Sequence, residues 1–181
     1  GFGTHGHKDM EILTWVLSGA LEHKDSLGSH GVIRPGEAQV MSAGTGIRHS
    51  EFNHSASEPV HFLQIWLLPE AKDLTPRYGQ VRYEEAELAN RWRLIASREG
   101  AEGSVVIFQD LRIHAARLAA GAALSAVLPT GRHGYLHMAT GQVKLEDGTV
   151  LQAGDALKVW DEAGPTLTAE AASEVLWFDL A

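Results

Sequence analysis

The stretch QVKLEDGTVLQAGDALKVWDEAG, residues 142–164, strings short apolar runs between glycine and acidic residues, and its reading decides the fold. Asp147-Gly148 between QVKLE and TVLQ predicts a two-residue hairpin turn, in which both central residues take positive φ. Working outward, comparable segments of four to eight residues rich in Val, Ile, Leu, Trp and Phe recur between Gly, Pro, Asp and Ser clusters. They include EILTWVLSG, GEAQVMSAG, PVHFLQIWLLP, HAARLAAG, LSAVLPTG, YLHMATG and SEVLWFDL. That punctuation predicts an all-β sandwich or barrel. Only Tyr83–Arg91, YEEAELANR, reads as helix, and it would connect two β units.

An internal echo supports two units. WVLSGALEH, IRPGEAQVMSAG and HFLQIWL in the first half correspond to YLHMATGQVKL, LQAGDALKVWDEAG and EVLWFDL in the second. In each, a strand ending in Gly leads to a hairpin, a Gly-acidic step opens another strand, and an apolar strand closes the unit. A tandem of small barrels is expected.

Composition narrows the function. A chain of 181 residues with 44% hydrophobic content can bury a core, and the absence of Cys removes disulfides, thiolate metal sites and cysteine nucleophiles. A formal charge of −8 is the wrong sign for phosphate contacts, so direct nucleic-acid binding is not expected. No apolar run of membrane-spanning length and no export leader is visible, which gives a cytoplasmic protein with no membrane partner as the expectation. Gly1 rather than Met opens the sequence, and an upstream piece of the natural protein is expected to be missing.

Two histidine stretches carry chemistry. In THGHKDME, residues 4–11, His5 and His7 project to one face if the segment is extended. In GTGIRHSEFN, residues 44–53, His49 and Glu51 do the same on a second strand. Two adjacent antiparallel strands would thus offer three imidazoles and one carboxylate to one point inside a barrel. His23, His30, His54, His61, His114, His133 and His137 lack such a pattern and read as surface or hydrogen-bonded structural residues. Gly44-x-Gly46 lacks the third glycine and the strand-to-helix context of a dinucleotide site, and reads instead as a tight turn positioning His49. The five tryptophans mostly fall in apolar strands and read as core, and no nucleophile-elbow sequence accompanies Ser42 or Ser50.

With these motifs the sequence resembles a bicupin of the pirin and quercetin-dioxygenase-like family. The cupin pattern appears as His5-x-His7, Glu11 and Gly19, followed by Gly44 to Asn53, with Gly44 where the general motif has Pro. THGHKDMEILTWVLSG, MSAGTGIRHSE, LQIWLLPE, VWDEA and WFDL also match that branch, so the resemblance covers nearly the whole chain. It implies an all-β fold of tandem cupin (jelly-roll β-barrel) domains with a short connecting helix. Residues 1–72 would form a metal-binding barrel, short of upstream residues. Residues 73–181 would form the connecting segment and a degenerate barrel without metal ligands.

The carboxylate ligand is a choice between Glu11 and Glu51. A continuous strand puts Glu11 roughly 13 Å beyond His7, whereas Glu51 lies about 7 Å from His49 on the same face. The resemblance also favours Glu51, leaving Glu11 as a core-edge residue that orients a histidine. The expected ligands are therefore His5, His7, His49 and Glu51, holding one divalent ion per chain. The donor set suits Fe, Cu, Mn, Co, Ni or Zn, and the resemblance implies Fe(II). The implied activity is oxygenolytic cleavage of a flavonol such as quercetin with release of carbon monoxide. Its partners would be a small aromatic substrate and O2, with Glu51 as ligand and base. Phe52 and Met10 border the pocket or face away, according to the strand register. The other function that the resemblance permits is a metal-dependent regulatory binding protein, a transcriptional or metabolic coregulator acting through a protein partner.

Overall fold

The computed structural model describes residues 1–160 and 162–181; Asp161, within the VWDEA match, lies outside the described residues. The chain forms two compact units, Gly1–Tyr83 with Ser97–Gln109 and Glu84–Ala96 with Asp110–Ala181. Each unit thus takes one segment from beyond its main run of sequence.

In the first unit, β1 (Phe2–His7), β6 (Ile47–Asn53), β3 (Leu21–Asp25) and β4 (His30–Ile33) form one antiparallel sheet in that order. A second antiparallel sheet runs β7 (His61–Leu67), β2 (Glu11–Ser18), β5 (Glu37–Ser42) and β8 (Arg77–Arg82). Period-2 alternation sorts their side chains. Ile12, Met41, Ala43 and Ile47 pack with Met10 at one level, and Val16, Leu21 and Ile33 pack with Val60 and Phe62 at another. Because Ile47, Leu21 and Ile33 belong to the first sheet and the others mostly to the second, these clusters mark the barrel interior.

Between them lies a polar level. Thr14 stands opposite both Gln39 and Gln64, while His49 and Glu51 alternate with Ile47 on the facing sheet and His23 pairs with Glu51. Thr14, Gln39, His23, His49 and Glu51 are all buried. Polar groups this deep are costly unless partnered, which marks the level as something other than packing.

The second unit contains α1 (Glu85–Leu88), β9 (Arg93–Ser97) apart from its last residue, β11 (Leu111–Leu118), β13 (His133–Thr140), β16 (Ala156–Trp160) and β18 (Ser173–Leu180). The short β10 (Val105–Val106) falls in the first unit. Antiparallel pairing joins β18 to β11 and β13, and β13 to β16. The facing sheet runs β12 (Ala123–Ser125), β17 (Thr166–Ala169), β14 (Gln142–Leu145) and β15 (Val150–Gln152).

The expected helix Tyr83–Arg91 is shorter, because Asn90 takes φ 54° and is drawn to the neighbouring strand. Its N–H donates to the Arg117 carbonyl at 2.7 Å and its side-chain oxygen accepts from Ala119 N at 2.9 Å. The expected two-residue turn at Asp147-Gly148 is also different. Three residues separate Leu145 from Thr149, whose carbonyl accepts Leu145 N–H at 2.8 Å. Gly148 alone has positive φ, 89°, while the Asp147 carboxylate accepts from Thr149 N at 2.8 Å. The side-chain bond supplies locally what a second left-handed residue would have supplied.

The same turn joins β3 to β4, where Asp25 and Ser29 pair around Gly28 at φ 88°. The Gly-acidic steps match as well. Glu37 Oε2 accepts from Arg34 N at 2.8 Å, and Asp155 Oδ2 accepts from Gln152 N at 2.8 Å. Superposing these turns and following the pairings places Val143 and Leu145 where the first barrel has His23 and Asp25. Across the ladder, Leu167 and Ala169 stand for His49 and Glu51. On the outer strand, Leu124 stands for His5. On the other sheet, Leu136, Leu157 and Trp177 stand for Thr14, Gln39 and Gln64.

Candidate metal centre

Strand β1 lies against β6 with His5 opposite His49 and His7 opposite Ile47, so both β1 histidines share the inward face of His49. Gly44 makes this possible. It adopts φ 46°, and a Cβ there would sit 1.9 Å from the Leu74 carbonyl oxygen, so only glycine fits the turn that launches β6. His49 Nε2 lies 3.0 Å from His5 Nε2 and 3.1 Å from His7 Nε2. Two nitrogens held at about 2.1 Å on adjacent octahedral positions are about 3.0 Å apart, against about 3.4 Å for a tetrahedral pair. The three imidazoles therefore fit a divalent ion, with spacing that suits adjacent positions of a six-coordinate one.

Electrostatics fit as well. Burial, then the neighbouring His23, His5 and His7 rings, pushes His49 down to about 3. Burial and His5 also lower His7. Both rings thus offer neutral lone pairs near pH 7, the form a metal requires. The His5 Nδ1–H donates to the Gly3 carbonyl at 2.8 Å, which turns Nε2 towards His49.

Glu51 sits deeper. Its ligand atoms converge with those of His49 and His23 within 4.8 Å, a second group that overlaps the His5, His7 and His49 group at His49. The structure thus brings the three expected histidines together and places Glu51 beside His49 on the inward side. Gln64 Nε2 donates to Glu51 Oε2 at 2.7 Å, and Gln64 Oε1 accepts from the Trp66 indole at 3.1 Å. The Trp66 ring meets His7 edge-on, with 5.0 Å between centroids. Burial raises the Glu51 carboxyl pKa, against the lowering effect of Gln64.

Glu11 orients no histidine. Its carboxylate accepts from Ser42 Oγ at 2.9 Å and Phe108 N at 3.1 Å. Met10 packs against Ile12, whereas Phe52 is exposed.

His23, read from sequence as structural, is hydrogen-bonded but also belongs to the second group. Its Nε2 is 3.0 Å from Asp25 Oδ2 and its Nδ1 is 3.4 Å from His49 Nδ1. Burial opposes the Asp25 charge, yet hydrogen bonds from His23 and from the Ser29 and Leu27 amides outweigh it and hold the pKa below the ordinary aspartate value. The period-2 pair His23-x-Asp25 was the available signal, while nothing local marked Gln64 or Trp66.

Comparison with known proteins accords with this geometry. Residues 1–67 match the family model described as Pirin, and residues 94–180 match that of the quercetinase C-terminal cupin domain. A protein of Escherichia coli K12 named quercetin 2,3-dioxygenase is 41% identical over 180 residues, covering 99% of this chain and 76% of the relative. A putative quercetin 2,3-dioxygenase of Mycobacterium tuberculosis H37Rv is 46% identical over 182 residues, covering 99% and 74%. The crystal structure of the bacterial pirin YhhW from Escherichia coli with nickel(II) aligns at TM-score 0.90 and 41% identity, over 99% of this chain and 76% of that one. Both units are accordingly cupin barrels of an all-β tandem. From its identity and coverage against these relatives, the chain belongs to the pirin family of bicupins.

Proposed function

We propose that the protein is a metal-dependent dioxygenase that cleaves a flavonol such as quercetin with O2, releasing carbon monoxide. The observation that carries this reading is the convergence of three imidazole nitrogens beside a buried carboxylate of raised pKa. His5, His7, His49 and Glu51 would hold one divalent ion, Fe(II) by preference. When bound, such an ion supplies a Lewis acid that favours the deprotonated substrate hydroxyl. The names of the relatives and the nickel-bound neighbour support both substrate and metal class.

The remaining steps fall to the chain's own residues. Gln64 engages one oxygen of Glu51, leaving the other to accept the flavonol hydroxyl proton. A carboxylate whose pKa is raised by burial is the stronger base. Trp66 and Phe2, 53% and 54% exposed, flank His7 and His5 and offer aromatic faces to a planar substrate. The enolate left by proton loss then combines with dioxygen, the central ring opens and carbon monoxide departs. Apolar side chains of the barrel on either side of the polar level exclude water from this anion.

The test is oxygen consumption with quercetin by Fe(II)-loaded protein of confirmed metal content, with His49→Ala as control. Metal-dependent uptake lost in the variant is the expected result. No uptake by the loaded protein would instead favour a regulatory role through a protein partner.

A further inference from the structure

We infer that Asp25 and His23 form a hydrogen-bonded relay that fixes the tautomer and orientation of His49, aiming its Nε2 lone pair at the His5 and His7 nitrogens. The inference rests on the reading of His49 as a metal ligand and makes His23 a positioning residue.

The relay begins at a carboxylate with no exposed side-chain surface. Asp25 Oδ1 accepts from Leu27 N at 2.9 Å and Ser29 N at 3.0 Å, so the β3–β4 turn itself fixes the group. An ionised carboxylate only accepts, so the proton in the 3.0 Å contact with Oδ2 belongs to His23 Nε2. The His23 ring then turns its Nδ1 to His49. A His49 that coordinates through Nε2 carries its proton at Nδ1, and donates it across 3.4 Å to His23 Nδ1. Its Nε2 is left as a lone pair, 3.0 and 3.1 Å from the other two ligand nitrogens. The Tyr78 ring, 5.0 Å from that of His23, limits its rotation.

The second barrel supplies an independent observation. Where Leu167 stands for His49, the relay positions hold Val143 and Leu145, in the same hairpin with the same register. A buried Asp-His pair kept only for packing has no reason to disappear together with the histidine that it touches.

Two measurements test the relay. In metal-free wild-type protein, long-range proton–nitrogen NMR of the imidazoles should show His49 protonated at Nδ1 and His23 at Nε2. A His49 protonated at Nε2 overturns the inference, whatever the fate of the metal. In nickel(II) titrations followed by calorimetry, His23→Leu should weaken binding by about 10- to 100-fold with stoichiometry unchanged. His23→Asn, whose oxygen can accept from His49, should recover part of the loss. Unchanged affinity in folded His23→Leu, or equal loss in the Asn and Leu variants, overturns the relay. Loss as complete as in His49→Ala overturns it in favour of direct coordination. Failure of wild type to bind nickel(II) would count against the metal centre, while the tautomer spectrum still decides the relay.

Discussion

The two barrels share turns, register and Gly-acidic steps but fill their interiors in opposite ways. In the first, the middle level holds His23, His49, Glu51, Thr14, Gln39 and Gln64. In the second, the corresponding positions hold Val143, Leu167, Ala169, Leu136, Leu157 and Trp177, all buried in or packed against one apolar cluster. Trp177 takes the place of Gln64, and its indole lies so close over Gly134 that a Cβ there would meet it at 2.2 Å. Among the described residues, both three-ligand groups lie in the first unit. One backbone plan therefore encloses either a polar cluster of histidines and a carboxylate or a closed apolar core, and side-chain polarity at a single level decides which.

The comparison is broken most severely by emptying the closed core. Trp177→Ala should cost about 3–5 kcal/mol of stability in denaturant unfolding, with the nickel(II) affinity of the folded fraction unchanged. A loss below about 1 kcal/mol would mean that this ring does not hold the second core together. Next, His49→Ala should weaken divalent-metal binding more than about 100-fold, beyond the effect of an outer partner. His133 is exposed in the second unit, and His133→Ala should leave affinity and a stoichiometry of about one per chain intact. Equal metal retention in the two variants would remove the basis for the asymmetry.

The smallest effect is on acid stability without metal. His49 has an ordinary pKa of 6.5 and a folded value of about 3, so the unfolded chain takes up a proton over that window and the folded chain does not. Stability should fall as pH drops from about 7 to 5, and less steeply in His49→Gln. The difference between the two proteins isolates His49 from Glu51 and Glu11, whose raised values act with the opposite sign. Parallel thermal midpoints across that range would show that His49 is not held neutral by its surroundings.

Much of this was legible along the chain because β structure repeats every two residues. The pairs His5-x-His7 and His49-x-Glu51 announce a common face without any knowledge of neighbours. Asp147-Gly148 announced the hairpin but misstated its length, since a side-chain hydrogen bond replaced the second left-handed residue. The helix over Tyr83–Arg91 was overstated for a similar reason, as β11 claims Asn90.

Sequence by itself determined the strands, the tandem, the three histidines and the family resemblance, because each depends on local spacing or a contiguous motif. Tertiary structure alone decided that His23 reaches His49, that Gln64 grips Glu51 and that Trp177 fills the second barrel. These contacts join residues 13 to 50 apart in sequence. Their existence depends on which strands become neighbours and in what register, and a residue's own flanking sequence carries no record of either.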